Sequence, residues 1–311
     1  MSDVDIDPTP GTARKSPRLG VIGSCNVDLV VRCRDLPRPG ETIIGEDLRR
    51  LPGGKGANQA AAASHLGADV SFIGCVGSDS DGDWLIESLR NHGVQDDLVK
   101  RALRPTGTAF IIVDDLGENE IVVTPGANEE LIISDIDLLQ FDVVLAQLEI
   151  SGAIIEEAAC RSNSFILNIA PATAVKQETL ESCSVVIANE LEANAVDLNS
   201  LGHCIVTLGA KGAVHYRYGR EIARAQAPIV DAVDTVGAGD VFCAAYAIEF
   251  ARGSSPEQAL RFSVTAGALA TLSNGAQGAL PSQSEVQGRL ARENSIKVKP
   301  RFHIQSRGEL C

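Results

Sequence analysis

Apolar and polar residues alternate along the chain in blocks that predict strands followed by helices. The first block is Leu19-Gly-Val-Ile-Gly-Ser24, a short apolar run that ends at a glycine turn and predicts a buried strand. Later strands are predicted at 69–76, 142–147, 164–169, 184–188 and 203–208, and helices at 56–66, within 80–92, at 151–162, near 238–252 and at 256–272. This alternation predicts an α/β fold, a doubly wound and mostly parallel sheet flanked by helices.

Two pairs of extended segments fall outside this alternation. The first pair is 28–34 with 42–50, and the second is 107–113 with 120–124. Turn residues separate the members of each pair, which predicts two hairpins. We expect them to form a small β-sheet lid, built from about 28–51 and 107–124.

The same patterns divide the chain into three parts. Residues 1–17 are rich in Asp, Pro, Thr and Ser and predict a disordered N-terminal extension. Residues 18–290 predict one α/β domain with its lid. Residues 291–311 are basic and weakly patterned, which predicts a flexible C-terminal tail.

Composition narrows the class of protein. The formal net charge is −14 and the isoelectric point is about 4.8, which disfavours a nucleic-acid partner. The eight cysteines show no Cys-x-x-Cys spacing, which is typical of buried thiols in a reducing compartment. No window approaches the ~20 apolar residues that a membrane span needs, and no signal peptide is evident. We therefore expect a cytoplasmic protein with no membrane partner.

The strongest local motif is Asp231-Ala-Val-Asp-Thr-Val-Gly-Ala-Gly-Asp240, which precedes an apolar helical run. Gly237 and Gly239 allow a tight turn, and free amides at the start of the next helix favour an anion. The Asp240 carboxylate could then accept a proton from a hydroxyl beside a bound phosphate. The same pattern is also typical of an ordinary helix N-cap. Phe242 stands where a dinucleotide-binding fingerprint needs its third glycine, which disfavours a dehydrogenase.

A second glycine-rich motif, Gly53-Gly-Lys-Gly-Ala-Asn-Gln59, precedes a predicted helix. It differs from a Walker A loop because Arg49 replaces the distant glycine and Gly56 replaces the hydroxyl residue. Lys55 and Asn58 are suited to a polyhydroxylated ligand, although a capped turn would have the same pattern.

Polar residues also follow several predicted strands, at the sheet edge where ligands bind in doubly wound folds. Asn26 and Asp28 follow the first strand and point the same way, because one residue separates them. Further candidates at such positions are Glu149, Asn168, Asn189 with Glu192, and the segment 207–212. Each of these is also consistent with a turn.

Taken together, the motifs resemble the phosphofructokinase-B-type, or ribokinase-like, family of carbohydrate kinases. The resemblance runs from about 18 to 281 and rests on six motifs in the family's order: Asn26-Val-Asp28, Gly53 to Gln59, Gln147-Leu-Glu149, Asn189-Glu-Leu-Glu192, Thr207 to Gly212 and Asp234 to Asp240. It implies ATP-dependent phosphorylation of D-ribose at O5. A family member acting on a nucleoside, deoxyribose or fructose, or a non-catalytic sugar-binding protein on the same scaffold, remains an alternative.

The resemblance also implies a role for each matched position. The sugar would contact Asn26, Val27, Asp28, Gly54, Lys55, Gly56, Ala57, Asn58, Glu149 and Asp240. The catalytic group would comprise the base Asp240 and an anion hole of amides from Gly237, Ala238 and Gly239. ATP would contact Asn189, Thr207, Leu208, Gly209, Ala210, Lys211, Gly212, Gly239, Asp240 and Ser263.

Two metal sites are implied in the same way. K+ would lie among Asp234, Val236, Ala270, Ser273, Gly275 and Ala279. Glu192 would hold Mg2+ through water. Independently of the resemblance, we expect a homodimer through the lid, because a small lid sheet has edges and one apolar face that a second lid would cover. The connection between Asn189 and Thr207 departs from the family's pattern because it is shorter by about one helix, so we expect a more open nucleotide side.

Overall fold

The computed structural model describes residues 16–278 and 280–297, with side chains described up to residue 293. The predicted N-terminal extension lies outside the described residues except for Ser16 and Pro17. The same holds for the predicted tail beyond residue 297.

The described residues form fourteen strands and eight α-helices. The strands are β1 (Arg18–Ile22), β2 (Asn26–Arg32), β3 (Arg49–Gly53), β4 (Asp69–Ile73), β5 (Cys75–Gly77), β6 (Lys100–Ala102), β7 (Gly107–Val113), β8 (Asn119–Thr124), β9 (Val143–Gln147), β10 (Phe165–Asn168), β11 (Val185–Asn189), β12 (Cys204–Thr207), β13 (Ala213–Arg217) and β14 (Arg220–Ala225). The helices are α1 (Lys55–His65), α2 (Ser80–Asn91), α3 (Gly152–Arg161), α4 (Gln177–Ser182), α5 (Glu190–Ala193), α6 (Ala238–Ala251), α7 (Pro256–Ala270) and α8 (Gln283–Lys297).

The central sheet has eight strands in the order β14-β13-β12-β11-β10-β9-β1-β4. The six strands from β12 to β4 pair in parallel, and β13 and β14 add an antiparallel edge. Strand β9 is buried at all five positions, as expected for a strand covered on both faces. Two hydrophobic clusters lie on the two sides of this sheet, so the predicted doubly wound, mostly parallel sheet is confirmed.

The predicted lid is a four-stranded sheet in the order β3-β2-β7-β8. Strand β2 pairs antiparallel with β3 and parallel with β7, and β8 closes the second hairpin. The expected strand at 42–50 is displaced, because β3 begins only at Arg49. Ile44 and Leu48, which precede it, are exposed and have no apolar surface to cover them.

Helix α6 is buried nearly all round, and this fixes the position of its N-terminus. Nine of its fourteen residues, from Asp240 to Ile248, are buried. Helix α7 packs closely against it, since a Cβ at Gly267 would lie 3.1 Å from the carbonyl oxygen of Ala238. A helix that is apolar on every face needs such a surrounding core.

The prediction of a flexible tail from residue 291 is wrong for its first seven residues. Helix α8 runs from Gln283 to Lys297, and its Val286 is fully buried in the core. The helix has few apolar residues, so its periodicity was too weak to predict it; packing of Val286 and Leu290 against the core stabilises it.

Within residues 16–278 and 280–297, no helix is both long and apolar enough to cross a lipid bilayer.

Candidate active site

The carboxyl ends of the parallel strands open into a cavity of about 160 Å³. Its walls are Lys55, Asn168, Ala170, Ile187, Ala188, Asn189, Glu192, Thr207, Gly237, Gly239, Asp240 and Cys243. Three motifs that are far apart in the sequence thus share one cavity. They are Lys55 of the motif Gly53 to Gln59, the polar ends of β11 and β12, and the loop that opens α6.

The loop before α6 depends on Gly237. Its φ of 79° lies in the left-handed region, and a Cβ there would lie 2.6 Å from the Cα of Ala276. No side chain among the described residues caps the helix that begins at Ala238. The Ala238 amide donates to the carbonyl of Thr235 over 3.3 Å, so it must leave this weak turn bond to contact a phosphate. The helix start therefore has the character of an anion site.

Asp240 is buried at the wall of this cavity, and two amide groups hold its carboxylate. Asn58 Nδ2 donates to Oδ2 over 3.1 Å, and Gln59 Nε2 donates to Oδ1 over 3.0 Å. Burial raises the pKa of Asp240 above its ordinary value, while the Lys55 ammonium and the two amide donors oppose that rise. The carboxylate is thus desolvated but supplied with donors, an arrangement that suits a general base.

The two amides that face Asp240 are themselves held by two glutamines. Gln147 Nε2 donates to Gln59 Oε1 over 2.5 Å, and Gln277 Nε2 donates to Asn58 Oδ1 over 2.9 Å. The sequence motifs contain Gln59 and Gln147 but did not indicate that they bond to each other. Nothing in the sequence pointed to Gln277, which comes from a loop more than 200 residues away from Asn58.

Glu149 links the end of β9 to the start of α1. Its Oε2 accepts from the backbone amide of Lys55 over 3.0 Å and from Ser24 Oγ over 2.5 Å. Burial lowers the pKa of the Lys55 ammonium, but the carboxylates of Asp240 and Glu149 outweigh burial and raise it overall. Lys55 therefore stays positively charged beside the base.

Asp28 lies on the lid strand β2 and faces the same group of charges. Burial raises its pKa to about 7, helped by the carboxylates of Glu149 and Asp240 and opposed by Lys55. A Cβ at Gly53 would lie 2.0 Å from an oxygen of Asp28, so only glycine leaves room for this carboxyl group. Asp28 thus changes its charge near neutral pH.

Asn26, an expected sugar contact, bonds to a second asparagine. It is buried, and its Oδ1 accepts from Asn128 Nδ2 over 2.8 Å. Asn128 Oδ1 in turn accepts a hydrogen bond from the backbone amide of Cys25 over 2.9 Å. Asn128 lies in a 3₁₀ turn and belongs to no motif, so nothing in the sequence indicated its contact with β2.

On the opposite side of the cavity, Asn189 and Glu192 form a capping box at α5. Glu192 N donates to Asn189 Oδ1, and Asn189 N donates to Glu192 Oε2, both over 2.8 Å. Thr207 ends β12 beside them, and residues Gly209–Lys211 form a short turn. Helix α5 has four residues, so one helical turn takes the place of the longer connection that the motif pattern predicts.

Ser263 does not reach this cavity. It is fully buried in α7, and its hydroxyl donates to the Ala259 carbonyl over 2.7 Å. The expected contact between Ser263 and ATP therefore has no support in this arrangement, because a helical residue facing the core satisfies its own hydroxyl.

The expected K+ ligands are partly brought together by Asp234. Its Oδ1 accepts from the Val236 amide over 3.0 Å and its Oδ2 from the Gly275 amide over 2.8 Å. Ala270 ends α7 nearby, and Ala279 lies outside the described residues. The Asp234 carboxylate and backbone carbonyls of these residues would supply the oxygen ligands that a hard monovalent cation prefers.

The described ranges contain no cluster of three or more His, Cys, Asp or Glu side chains suited to a metal ion. A divalent ion would therefore depend on substrate phosphates and on single carboxylates such as Glu192. Glu192 fits that role because it lies on the cavity wall and only one of its oxygens serves the capping box.

The sequence model of the pfkB family of carbohydrate kinases matches residues 16–283. This chain belongs to that family. It is therefore a carbohydrate kinase, an enzyme that transfers a phosphoryl group to an alcohol.

Relatives of this pfkB kinase cover it almost from end to end. A ribokinase from Bacillus subtilis is 38% identical over 286 residues, which span 86% of this chain and 97% of the relative. The structure of a ribokinase from Thermotoga maritima matches with a TM-score of 0.81 at 33% identity, covering 88% of this chain and 99% of that one. An Arabidopsis thaliana ribokinase, described as a complex with ribose and ATP, also gives a TM-score of 0.81. It is 32% identical and covers 89% and 99% of the two chains.

Proposed function

We propose that this chain transfers the γ-phosphoryl group of ATP to O5 of D-ribose, giving D-ribose 5-phosphate and ADP. The observation that supports this most directly is the position of Asp240. It lies in one cavity with Lys55 on the sugar side, the α6 N-terminus beside it, and Asn189 and Thr207 opposite. The named ribokinases that match this chain, one of them with ribose and ATP bound, indicate the substrates.

On the sugar side, we assign the hydroxyl contacts to charged and amide groups. Asp28, Glu149 and Lys55 interact electrostatically with one another, and Asn58 bonds to Asp240. Asn26 supports β2 through its bond with Asn128. Val27, Gly54, Gly56 and Ala57 are sequence neighbours of these residues, and we assign their contacts with the sugar to the backbone. Carboxylates accept hydrogen bonds from sugar hydroxyls. Ammonium and amide groups donate hydrogen bonds to the hydroxyl oxygens, so each hydroxyl can have both a donor and an acceptor as partners.

Asp240 acts as the general base on the O5 hydroxyl. The amide donors from Asn58 and Gln59 stabilise its charged form inside the protein. The acceptor hydroxyl needs to release its proton only as the new P–O bond forms, so a carboxylate of modest basicity is sufficient. General base catalysis of this kind typically contributes about 10²- to 10⁴-fold in rate.

The start of α6 stabilises the migrating phosphoryl group. Backbone amides of Gly237, Ala238 and Gly239 supply donors, and the helix dipole favours negative charge at this end. Phosphoryl transfer has a loose transition state, so alignment and charge stabilisation carry most of the catalysis. Positioning these amides on a fully packed helix fulfils that requirement.

The nucleotide lies on the side of Asn189, Thr207 and the segment that contains Leu208, Gly209, Ala210, Lys211 and Gly212. Lys211 is exposed at the turn and can approach phosphates. Glu192 would position Mg2+ through water, and that ion would neutralise charge on the phosphate oxygens. The short α5 leaves the adenine side less enclosed than a full helix would.

A monovalent cation is proposed beside Asp234. The backbone amides of Val236 and Gly275 both donate to Asp234, next to the loop that holds Gly237. Ser273 and the carbonyls of Val236 and Ala270 would add oxygen ligands. K+ would thereby stabilise the shape of the amide loop without contacting substrate.

The substrate assignment is tested by a coupled ADP-release assay with ribose, 2-deoxyribose, fructose, adenosine and uridine, each with and without K+. A nucleoside base would favour an aromatic wall, whereas Asp28, Lys55 and Glu149 on the sugar side are charged groups suited to hydroxyls. Ribose should therefore give the highest kcat/KM. Turnover of a nucleoside with none of ribose would overturn the proposal.

We also propose that two lids pair in a homodimer. In the register of the lid sheet, Asp28 lies beside Ala109, and Ala109 lies opposite Val123; Ile121 shares that face two residues away. Ile121 and Val123 are half exposed and apolar. A second lid packed on this face would cover the apolar residues and the sugar together. A cytoplasmic location and the lack of a nucleic-acid partner stay predictions.

A further inference from the structure

Gln277 is a polar residue of the cavity region to which the reaction itself gives no role. It lies on the loop between α7 and α8. Its Oε1 is buried and has no hydrogen-bond partner among the described residues. A buried acceptor without a donor destabilises the fold, so Gln277 is not explained by stability.

The amide nitrogen of Gln277 has one defined partner. Gln277 Nε2 donates to Asn58 Oδ1 over 2.9 Å. This bond fixes which end of the Asn58 amide faces the loop, so that Asn58 Nδ2 faces Asp240. In the reversed orientation, the Asn58 carbonyl oxygen would face the carboxylate and repel it.

The same short segment touches the amide loop and the cation ligand. The Gly275 amide donates to Asp234 over 2.8 Å. Ala276 packs so closely against Gly237 that a Cβ on that glycine would lie 2.6 Å from the Ala276 Cα. Residues 275–277 therefore contact Asp234, Gly237 and, through Gln277, Asn58.

We infer that Gln277 is a positioning residue, which orients Asn58 toward Asp240 and so couples the segment 275–277 to the charged state of the base. This inference rests on the proposed function, because it assigns a role within that reaction. The donor from Asn58 is one of two that stabilise the charged carboxylate. If the Asn58 amide loses this orientation, Asp240 shifts toward its protonated form, which cannot accept the proton of O5.

The other charges around Asp240 come from four elements. Lys55 on α1 favours the ionised carboxylate, whereas Glu149 after β9 and Asp28 on β2 oppose it. Cys243, one turn along α6, also interacts with Asp240, and burial raises the pKa of its thiol. Besides α6 itself, the fourth neighbouring element is α5, whose Glu192 raises the pKa of both Lys55 and Cys243. None of these groups changes in a Gln277 variant, and Gln277→Met adds no charge, so a shift of the Asp240 titration in that variant reports on Asn58. Gln277→Glu adds a carboxylate that acts on Asp240 directly as well.

The test compares Gln277→Met and Gln277→Glu with Asn274→Ala. Methionine has a similar size but no donor, and a glutamate accepts from Asn58 Nδ2 and so favours the reversed amide. Asn274 lies on the same loop with an exposed side chain that makes no hydrogen bond among the described residues. We expect kcat with ribose to fall about tenfold in Gln277→Met and further in Gln277→Glu, with KM nearly unchanged. The acid limb of the kcat profile should move to higher pH.

A second readout does not need activity. Carbon-13 NMR of aspartate-labelled protein follows the Asp240 carboxyl, assigned as the signal missing from Asp240→Asn. Its titration should move to higher pH in both Gln277 variants and stay unchanged in Asn274→Ala. An unchanged titration together with wild-type kcat would overturn the inference. A wild-type protein inactive on ribose would instead contradict the proposed function, and the NMR titration would still decide the role of Gln277.

Discussion

Asn58 donates its side-chain amide to the carboxylate of Asp240 over 3.1 Å, across 182 residues of sequence. Asn58 belongs to the turn that opens α1, and Asp240 lies in the first turn of α6. The contact places the proposed sugar-binding motif against the proposed catalytic loop. It also requires that both helix starts lie at the same edge of the sheet.

Replacing Asp240 with Asn should nearly abolish turnover. Asparagine keeps the size of the side chain but cannot accept the proton of O5, so kcat should fall by at least ~10³-fold. Binding of ATP, measured by titration calorimetry, should change little. Asp231→Asn, at an exposed position in the same motif, is the matched control. A rate for Asp240→Asn close to that of the wild type would exclude Asp240 as the base.

The loop conformation predicts an unequal pair of glycine variants. Gly237→Ala combines a left-handed φ with a clash against Ala276, so the free energy of unfolding should fall by about 3 kcal/mol. Gly253 has a similar φ of 69° but open space around a Cβ, so Gly253→Ala should cost only about 1 kcal/mol and leave kcat unchanged. Urea denaturation measures both. Equal losses would show that Ala276 does not restrict this loop.

The titration of Asp28 predicts a specific dependence of stability on pH. The pKa is raised from 3.8 to about 7 in the folded protein, so the folded state holds this proton in a pH range where the unfolded chain has lost it. The free energy of unfolding therefore falls as pH rises through that range. Asp28→Asn removes the ionisable group and with it this fall in the free energy of unfolding.

The stability gain of Asp28→Asn over the wild type should thus be larger at pH 8.5 than at pH 5, by up to about 3 kcal/mol. The measurement is urea denaturation at both values. Asp35→Asn, at an exposed position of the lid, serves as the control. The same pH dependence in the wild type and Asp28→Asn would contradict the burial of a titrating carboxyl group at this site.

Asp234 should be needed for activation by K+. Its two oxygens hold the amides of Val236 and Gly275, and Asp234→Ala removes both bonds and the one carboxylate of the proposed cation site. We expect kcat to fall roughly tenfold and to become equal in potassium chloride and tetramethylammonium chloride. Initial rates in the two salts measure this effect. Activation by K+ that survives in Asp234→Ala would place the cation elsewhere.

The register of the lid makes adjacent residues of β8 informative about the dimer. Ile121 lies on the face that carries Asp28, and Val122 lies on the opposite face. Ile121→Asp should shift the protein from dimer to monomer in analytical ultracentrifugation and raise the KM for ribose. Val122→Asp, with similar exposure, should leave both unchanged. A monomeric wild type, or equal effects of the two variants, would exclude pairing through this face.

Much of the fold could be predicted because its signals are local. Strand β9 reads as an apolar run, and α6 and α7 each follow clear start signals. Helix α8 could not be predicted, because its few apolar residues become significant only when Val286 meets the core. The start of β3 was likewise decided by pairing with β2.

Some residues of the candidate site could likewise be predicted from local motifs, and others could not. Lys55, Asn58, Glu149 and Asp240 lie in motifs whose glycine and polar spacing indicates ligand chemistry, and the structure brings them together. The contact of Ser263 with ATP stays a prediction, whereas its burial within α7 depends on neighbours that the motif does not contain.

By itself, the sequence determined most of the order of strands and helices, the family and the polar residues at strand and helix ends, because periodicity and turn chemistry act over a few residues. Only the tertiary structure decided that Gln277 bonds to Asn58, that Asn128 bonds to Asn26 and that burial raises the pKa of Asp28. These properties depend on distances and desolvation between segments more than a hundred residues apart, which no local pattern encodes.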